Sequence, residues 1–552
     1  MLNLKIIFNL LLVILLIPTS FSFDTDTLTI NPITFNTPSP KGWNAQYSTY
    51  VSFPIFEEKW EKILMVQTLK CDSLTAGDKY PCGEWDYIWS TFVEVPSADT
   101  TEKFCLGSFI TPYGKRLEMG GENGWQWFYD ITEYTPILRG NLKLTVGNNQ
   151  ELLDLKFHFI EGTPTRDIIS IENIYPHGNY KYELLADDVI LKKKRIVTNQ
   201  NAREYEVKSI ISGHGHEGPQ NCCEWDSKTH TWYFNGWELF NWIVWTDCGN
   251  NPIYPQGGTW PFNRAGWCPG SIVDEYLFDL SLYINPGDTI ELDYGIQNYY
   301  NNGEKEGNFI MTHQLISYDS PNFNHEVELF EIIAPNSLGR YSRLNPICDQ
   351  PKIIIRNNGK EILKSVNIIY GFENKRNYFF KWYGELRFLE SDTLLLPKIT
   401  WNLDEMNFMV QLSNPNGTQD EKINNNKKNI IVPKVKIFPS EFQLSLFTNN
   451  NNRAKENMFT ITDADGYIFY SGDNFIDSTE YIYDIKLYPG CYQFLFLDDM
   501  EDGISIHWWN RNSNPNKIGI NGSINFSDIN GKELHKFKPD FGQELRFNFM
   551  VE

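Results

Sequence analysis

The chain has 552 residues, with 70 acidic side chains against 48 basic ones and a formal net charge of −22. That balance excludes nucleic acid and anionic membrane surfaces as partners, because holding phosphates requires concentrated Lys and Arg. Such a length exceeds one hydrophobic core, and 15% aromatic residues favour strands over helical bundles, so several all-β units are expected.

At the N-terminus, Lys5 precedes a short apolar run that ends at Pro18, with the small residues Ser20 and Ser22 following. This pattern predicts a signal peptide over residues 1–22 and a destination that is secreted or within the endomembrane or lysosomal lumen. No later apolar run approaches bilayer length, and "RFNFMVE" at the end lacks a lipid-anchor tail, so no membrane insertion is expected. Export makes the nine cysteines disulfide candidates, with one left unpaired or bridging chains. Asn416, Asn521 and Asn525 occupy glycosylation sequons.

Runs such as "NLKLTV", "LLDLKFHFI" and "SIVDEYLFDLSLYI" alternate with Gly, Pro, Asn and Asp turns. They predict two successive antiparallel β units, 23–165 and 166–322. The spacing of short strands then changes over 323–438 to that of an immunoglobulin-like sandwich. Residues 439–552, with "ITDADGYIFYSGDN" and "CYQFLFLDDMEDGISI", form a C-terminal β module. Its "DADG" and "DDMEDG" stretches offer oxygen ligands but lack the full calcium-loop spacing, and acidic glycine turns account for them.

A motif in the first unit is repeated in the second: "PCGEWDY" at 81–87 and "NCCEWD" at 221–226. In an extended strand Glu84 and Asp86 share one face while Trp85 opposes them, and Glu224 and Asp226 stand likewise around Trp225. A single copy is explained by a buried tryptophan flanked by surface carboxylates. Repetition beside cysteines points towards chemistry. Further on, "NRAGWCPG" sets Arg264 and Trp267 next to Cys268. A Cys248–Cys268 bridge would fix Arg264 in space, stabilising by roughly 3 kcal/mol. A guanidinium never loses its proton and suits both carboxylate orientation and a developing oxyanion.

In order and spacing, "CGEWDY", "ISGHGHEGPQNCCEW" with "THT", "DCGNNP", "RAGWCPG" and "NNGEKEGNFI" resemble the peptide-N-glycosidase F family over residues 40–322. The resemblance implies two side-by-side antiparallel jelly rolls with the active site at their junction. It implies amide hydrolysis that releases N-linked glycans from glycoproteins or glycopeptides, leaving aspartate and a glycosylamine, without metal or organic cofactor. Asp86 is implied to activate water and Glu224 to contact the first N-acetylglucosamine. Arg264, Trp225, Trp267, His216 and Tyr87 fall at substrate-binding positions, Tyr87 where the family can carry an arginine. His158 falls at the position of a further acidic residue and is either a titratable donor there or a satisfied strand histidine. Cys71 and Cys82 match the family's first bridge. Adjacent Cys222 and Cys223 are expected to find separate partners, one of them reaching Cys105 or another cysteine, and the pairing of Cys348 and Cys491 is open.

Two rival readings remain. His214 and His216 alternate in "GHGHEG", and copper-dependent hydroxylases share paired jelly rolls, yet no histidine lies between Phe23 and Phe157 to furnish a second copper site. A glycan-binding protein without activity could stack sugars on Trp125 and Trp127, although alternating tryptophans more often pack a sheet face. The joint presence of Asp86 and Glu224 favours the enzyme.

Overall fold

A computed structural model describes residues 27–552 apart from 43, 56–58, 75–79, 98–99, 116, 118, 148–150, 217–221, 300–306, 345–347, 349, 402–405, 433 and 507–518. The predicted signal peptide therefore lies outside the described residues. No described helix is long and apolar enough to cross a membrane.

Alternation of apolar and polar residues sets the strands of the first unit. In Glu151–Glu161 the side chains of Leu153, Leu155, Phe157 and Phe159 are buried while Asp154, Lys156 and His158 face outward. The unit comprises β1 (Thr27–Ile33), β2 (Tyr47–Phe53), β3 (Trp60–Cys71), β4 (Ile88–Pro96), β5 (Thr101–Ile110), β6 (Trp125–Asp130), β7 (Gly140–Val146) and β8 (Glu151–Glu161). These form two antiparallel sheets ordered β1-β8-β3-β6 and β2-β7-β4-β5. That interleaving, in which the last strand returns beside the first, is the jelly-roll order.

The second unit repeats it. Its strands are β9 (Arg166–Lys181), β10 (Lys194–Val197), β11 (Glu204–His214), β12 (Lys228–Phe234), β13 (Trp237–Val244), β14 (Glu275–Asp279), β15 (Thr289–Ile296) and β16 (Asn308–Pro321). They are ordered β14-β11-β16-β9 and β10-β15-β12-β13, which is the same permutation counted from β9. Each roll encloses its own core, Trp89, Phe109, Phe157 and Phe159 in the first, Tyr175, Tyr205, Trp232 and Phe309 in the second.

The rolls meet side by side. Edge strand β5 continues onto the β13–β14 connection through an antiparallel bridge between Phe109 and Ile272, with Ile110 N donating to Ser271 O and Val273 N to Ser108 O. Ile110, Ile210, Trp267 and Val273 form a small apolar cluster at this seam. Lys208 of the second roll, buried, pairs with Glu133 of the first at 2.6 Å and with Glu275 at 2.9 Å. Burying the Lys208 charge is tolerable because two carboxylates that keep some contact with solvent pair with it.

Beyond residue 322 a three-stranded sheet packs against a four-stranded one, a seven-stranded sandwich between Val327 and Val432. A five-stranded and a four-stranded sheet follow to Val551. Cys348–Cys491 links these last two units. Of the sequon asparagines, Asn521 is exposed, Asn525 lies half-buried in a strand, and Asn416 is half-buried with Nδ2 donating to Ile362 O.

Candidate active site

Neither Trp–carboxylate segment is a strand. Residues 81–87 and the described part of 221–226 are turns and bends, so the shared-face expectation for Glu84 with Asp86 and for Glu224 with Asp226 is corrected. In the first segment Gly83 takes a positive φ of 77°, which breaks the extended run, and the Cys71–Cys82 bridge ties the turn back to β3. Trp85 points outward and is 50% exposed. Thr111, just past β5, fastens the end of the turn: its Oγ1 accepts from Tyr87 N at 2.8 Å and its N–H donates to Tyr87 O at 2.9 Å. Gly114 packs so close that a Cβ would stand 1.8 Å from the Gly83 carbonyl oxygen.

The second segment follows β11. Glu224 N donates to Gly215 O, and Ala265 N donates to Glu224 O, which draws the Arg264 strand-end onto the turn. Arg264 is fully buried. Its Nε donates to Glu224 Oε1 at 3.1 Å, Nη1 to Phe262 O at 2.5 Å, and Nη2 to Thr259 O and Oγ1, both at 2.9 Å. Trp225 and Trp267 lie 4.3 and 4.9 Å from its guanidinium carbon, adding cation–π attraction. Three of the guanidinium's four hydrogen bonds go to the 259–262 turn, so its position follows from that of the turn.

Asp86 comes to the same group from the other roll. Burial pushes its carboxyl up to about 7, against the pull of the Arg264 charge and with the help of the Glu224 charge. Tyr113, whose hydroxyl lies 3.4 Å from Thr259 Oγ1, stands beside this carboxylate and favours its ionised form, while Asp86 Oδ2 is enclosed without a hydrogen-bond partner. Burial and Asp86 drive the Tyr113 phenol well above its usual range, keeping it a donor. Tyr113 belongs to "TPYGK", which nothing in the sequence singles out; its role depends on where the chain leaves β5.

The structure thus gathers Asp86, Glu224, Arg264 and Trp225, with exposed His216 at the rim, its Nδ1 3.5 Å from Glu224 Oε2. Other expected positions separate from the group. Trp267 is 2% exposed, its Nε1 donating to Gly213 O, so it supports Arg264 from inside and has no face for a ligand. Tyr87 packs against the first core. Asp226 pairs with Lys228. His158 stands on the outer face of β8 opposite β1, with Nδ1 against Thr29 Oγ1 at 2.9 Å and the charges of Lys156 and Asp154 acting on it; strand alternation turns it away from the core of the first roll.

Cys248–Cys268 and Cys71–Cys82 are bonded. Cys222 and Cys223 bond to each other, correcting the expectation of separate partners: Cys105 is a free thiol enclosed in the first roll beside Ser108, out of their reach. His214 and His216 are also unlike. His214 is stacked on Trp267, with Nε2 against Ser212 Oγ and burial pulling it down to about 4, while His216 is exposed; the two do not form a ligand pair. Trp127 stacks on Phe109 at 4.5 Å and is 4% exposed, a core residue and no sugar platform. Among the described residues, Glu456, Asp498 and Asp502 bring carboxylate oxygens within 4.8 Å of one another. The Arg453 guanidinium already pairs with two of them.

The family model described as the C-terminal part of peptide-N-glycosidase F matches residues 181–316. A curated relative, the peptide-N(4)-(N-acetyl-beta-D-glucosaminyl)asparagine amidase F of Elizabethkingia miricola, is 27% identical over 259 residues, which cover 44% of this chain and 71% of the relative. The solved structure of PNGase F, a glycosylasparaginase from Flavobacterium meningosepticum, is 25% identical with a TM-score of 0.46, over 53% of this chain and 96% of that one. That of PNGF-II is 14% identical with a TM-score of 0.39, over 54% and 66%. The sequence matches support a glycoamidase-like function, and the paired jelly rolls give the fold on which it would sit. The match to the peptide-N-glycosidase F family lies in the second jelly roll, and over its first two β units the chain is similar to members of that family.

Proposed function

We propose that this protein is an exported amidase that hydrolyses the bond between N-acetylglucosamine and the asparagine side chain of N-glycoproteins or glycopeptides. The observation that carries the reading is the meeting of Asp86 from one roll with Glu224 and Arg264 from the other in a single electrostatic group. Hydrolysis of an unactivated amide needs a base for water, stabilisation of charge at the carbonyl, and a proton for the departing nitrogen.

Asp86 supplies the first and last. A carboxylate whose proton affinity sits near 7 is a far better base than one near 4, and its unpartnered Oδ2 is free to take the proton of an attacking water. The water oxygen bonds to the amide carbon, the carbon–nitrogen bond breaks, and the proton held by Asp86 passes to the leaving nitrogen. The products are aspartate and a glycosylamine. Tyr113, beside the carboxylate, favours its ionised form. Glu224, held by Arg264 through Oε1 with Oε2 facing His216, is oriented to accept from sugar hydroxyls, and Trp225 covers the same edge.

The test is turnover of a small N-glycopeptide in oxygen-18 water, followed by mass spectrometry of the peptide. Aspartate carrying one heavy oxygen at the former glycosylation site is the expected product. An N-acetylglucosamine left on asparagine would place the cleavage between sugars and refute the bond assignment.

A further inference from the structure

The loop between Cys248 and Cys268 has two sides. One faces Asp86, where Thr259 and Phe262 lend their carbonyls to Arg264. The other is covered by the last β unit of the chain. Trp260, inside the 259–262 turn and wholly buried, donates its indole N–H to Asp540 Oδ1 at 3.0 Å across 280 residues of sequence. Gln543 N donates to Gly249 O at 2.9 Å, and Asn250 Nδ2 donates to Gln543 Oε1. Gly542 comes so near that a Cβ would lie 2.1 Å from the Gly249 carbonyl oxygen and 3.1 Å from the Trp260 ring.

Arg343, from the sandwich unit, closes the remaining flank. Its Nε donates to Asn251 O at 2.6 Å, Nη1 to Glu544 O at 3.0 Å, and its guanidinium sits 4.0 Å over the Tyr254 ring. Tyr254 packs against the core of the terminal unit and stacks on Trp260. Apart from one bridge between Thr246 and Arg264, the loop has no strand ladder of its own to hold the 259–262 turn. Within the loop the Cys248–Cys268 bridge, Cys248 N to Asn263 Oδ1 and Phe262 N to Thr259 O hold the turn from one side, and the terminal unit packs on the other.

We propose that the terminal unit is part of the amidase machinery, with Asp540, Gly542 and Gln543 as positioning residues that act through Trp260 on the Thr259–Phe262 turn and so on Arg264. This rests on reading the Asp86, Glu224 and Arg264 group as the active site. A loosened Arg264 removes positive charge from beside Asp86, which raises the pH at which Asp86 ionises. A terminal unit that served only solubility or substrate capture would leave that pH unchanged.

The experiment compares the full chain with Trp260→Phe, Asp540→Ala and Asp540→Asn, first for hydrogen exchange at the Thr246 and Arg264 amides, which pair with each other's carbonyls, and then for kcat/KM against pH. Trp260→Phe keeps an aromatic ring but removes the indole N–H with some volume, whereas Asp540→Ala breaks the same bond and leaves the Trp260 side chain in place, so the two together isolate the contact. Asp540→Ala and Trp260→Phe are expected to speed exchange at both amides, lower kcat/KM by about ten- to a hundredfold and move the pH midpoint upward. Asp540→Asn, which keeps an acceptor oxygen, is expected to stay near wild type. Unchanged exchange and an unchanged midpoint in both disrupting variants would overturn the proposal. A wild-type protein without turnover sinks the amidase reading instead, and the exchange measurement still decides whether the terminal unit holds the turn.

Discussion

Replacing Asp86 with Asn separates its catalytic part from its cost to the fold. The rise of this carboxyl from an ordinary 3.8 to about 7 means that the native state holds its proton more tightly than the unfolded chain does. Stability at this group is therefore undiminished below about pH 4, is lost progressively as pH rises, and reaches its full deficit above about pH 7, where both states are ionised. At about 1.4 kcal/mol per pH unit the deficit is at most about 4 kcal/mol. Asn carries no charge and escapes it, but places an amide where Oδ2 has no partner, which costs about 1–3 kcal/mol at every pH. The melting temperature of Asp86→Asn relative to wild type is expected to climb between pH 5 and pH 8 while turnover falls by at least about a hundredfold. Calorimetry across that range, with glycopeptide turnover alongside, checks both. A melting difference constant with pH would refute the account of a strained carboxylate, and retained turnover would move the base elsewhere.

Glu224→Gln removes a negative charge that raises the Asp86 proton affinity, so the rising limb of activity against pH is expected to shift to lower pH even as the rate falls. A pH titration of kcat/KM reads it. Tyr113→Phe deletes a donor that favours ionised Asp86, and the same titration is expected to show the opposite shift. Replacing Cys248 and Cys268 together with Ser opens a loop of 20 residues, and a loss of about 3 kcal/mol in urea unfolding of the rolls is expected. His158→Ala, on the outer face of β8, is expected to leave kcat/KM and its pH profile unchanged.

Much of the fold can be read from sequence because strand alternation writes burial directly into residue order, as Leu153 to Phe159 show. The candidate site is legible in its residue types, since Asp86, Glu224 and Arg264 all sit in short, unusual stretches flanked by cysteines. Their local geometry is not. A positive φ at Gly83 turns "CGEWD" out of the strand conformation that its alternating pattern suggests, and alternation arguments fail inside turns. Tyr113 was invisible because its partner Asp86 is remote in sequence, and the neighbours that draw it in, Gln256 and Thr259, belong to the other roll. His158 carries the converse lesson: a matching place in the sequence does not fix which face of a strand a side chain takes, and this one lies on the outer face against Thr29.

The seam where β5 meets residues 270–273 also governs how the chain must be built. An unpaired strand edge invites any neighbouring chain to add itself, and the first roll emerges from the ribosome with its β5 edge bare. Its natural cover arrives only after more than half of the second roll has been made. Nascent protein is thus exposed to misassembly for the whole of that interval, and truncating the gene after residue 165 would make the exposure permanent: such a fragment should self-associate, however complete its own jelly roll.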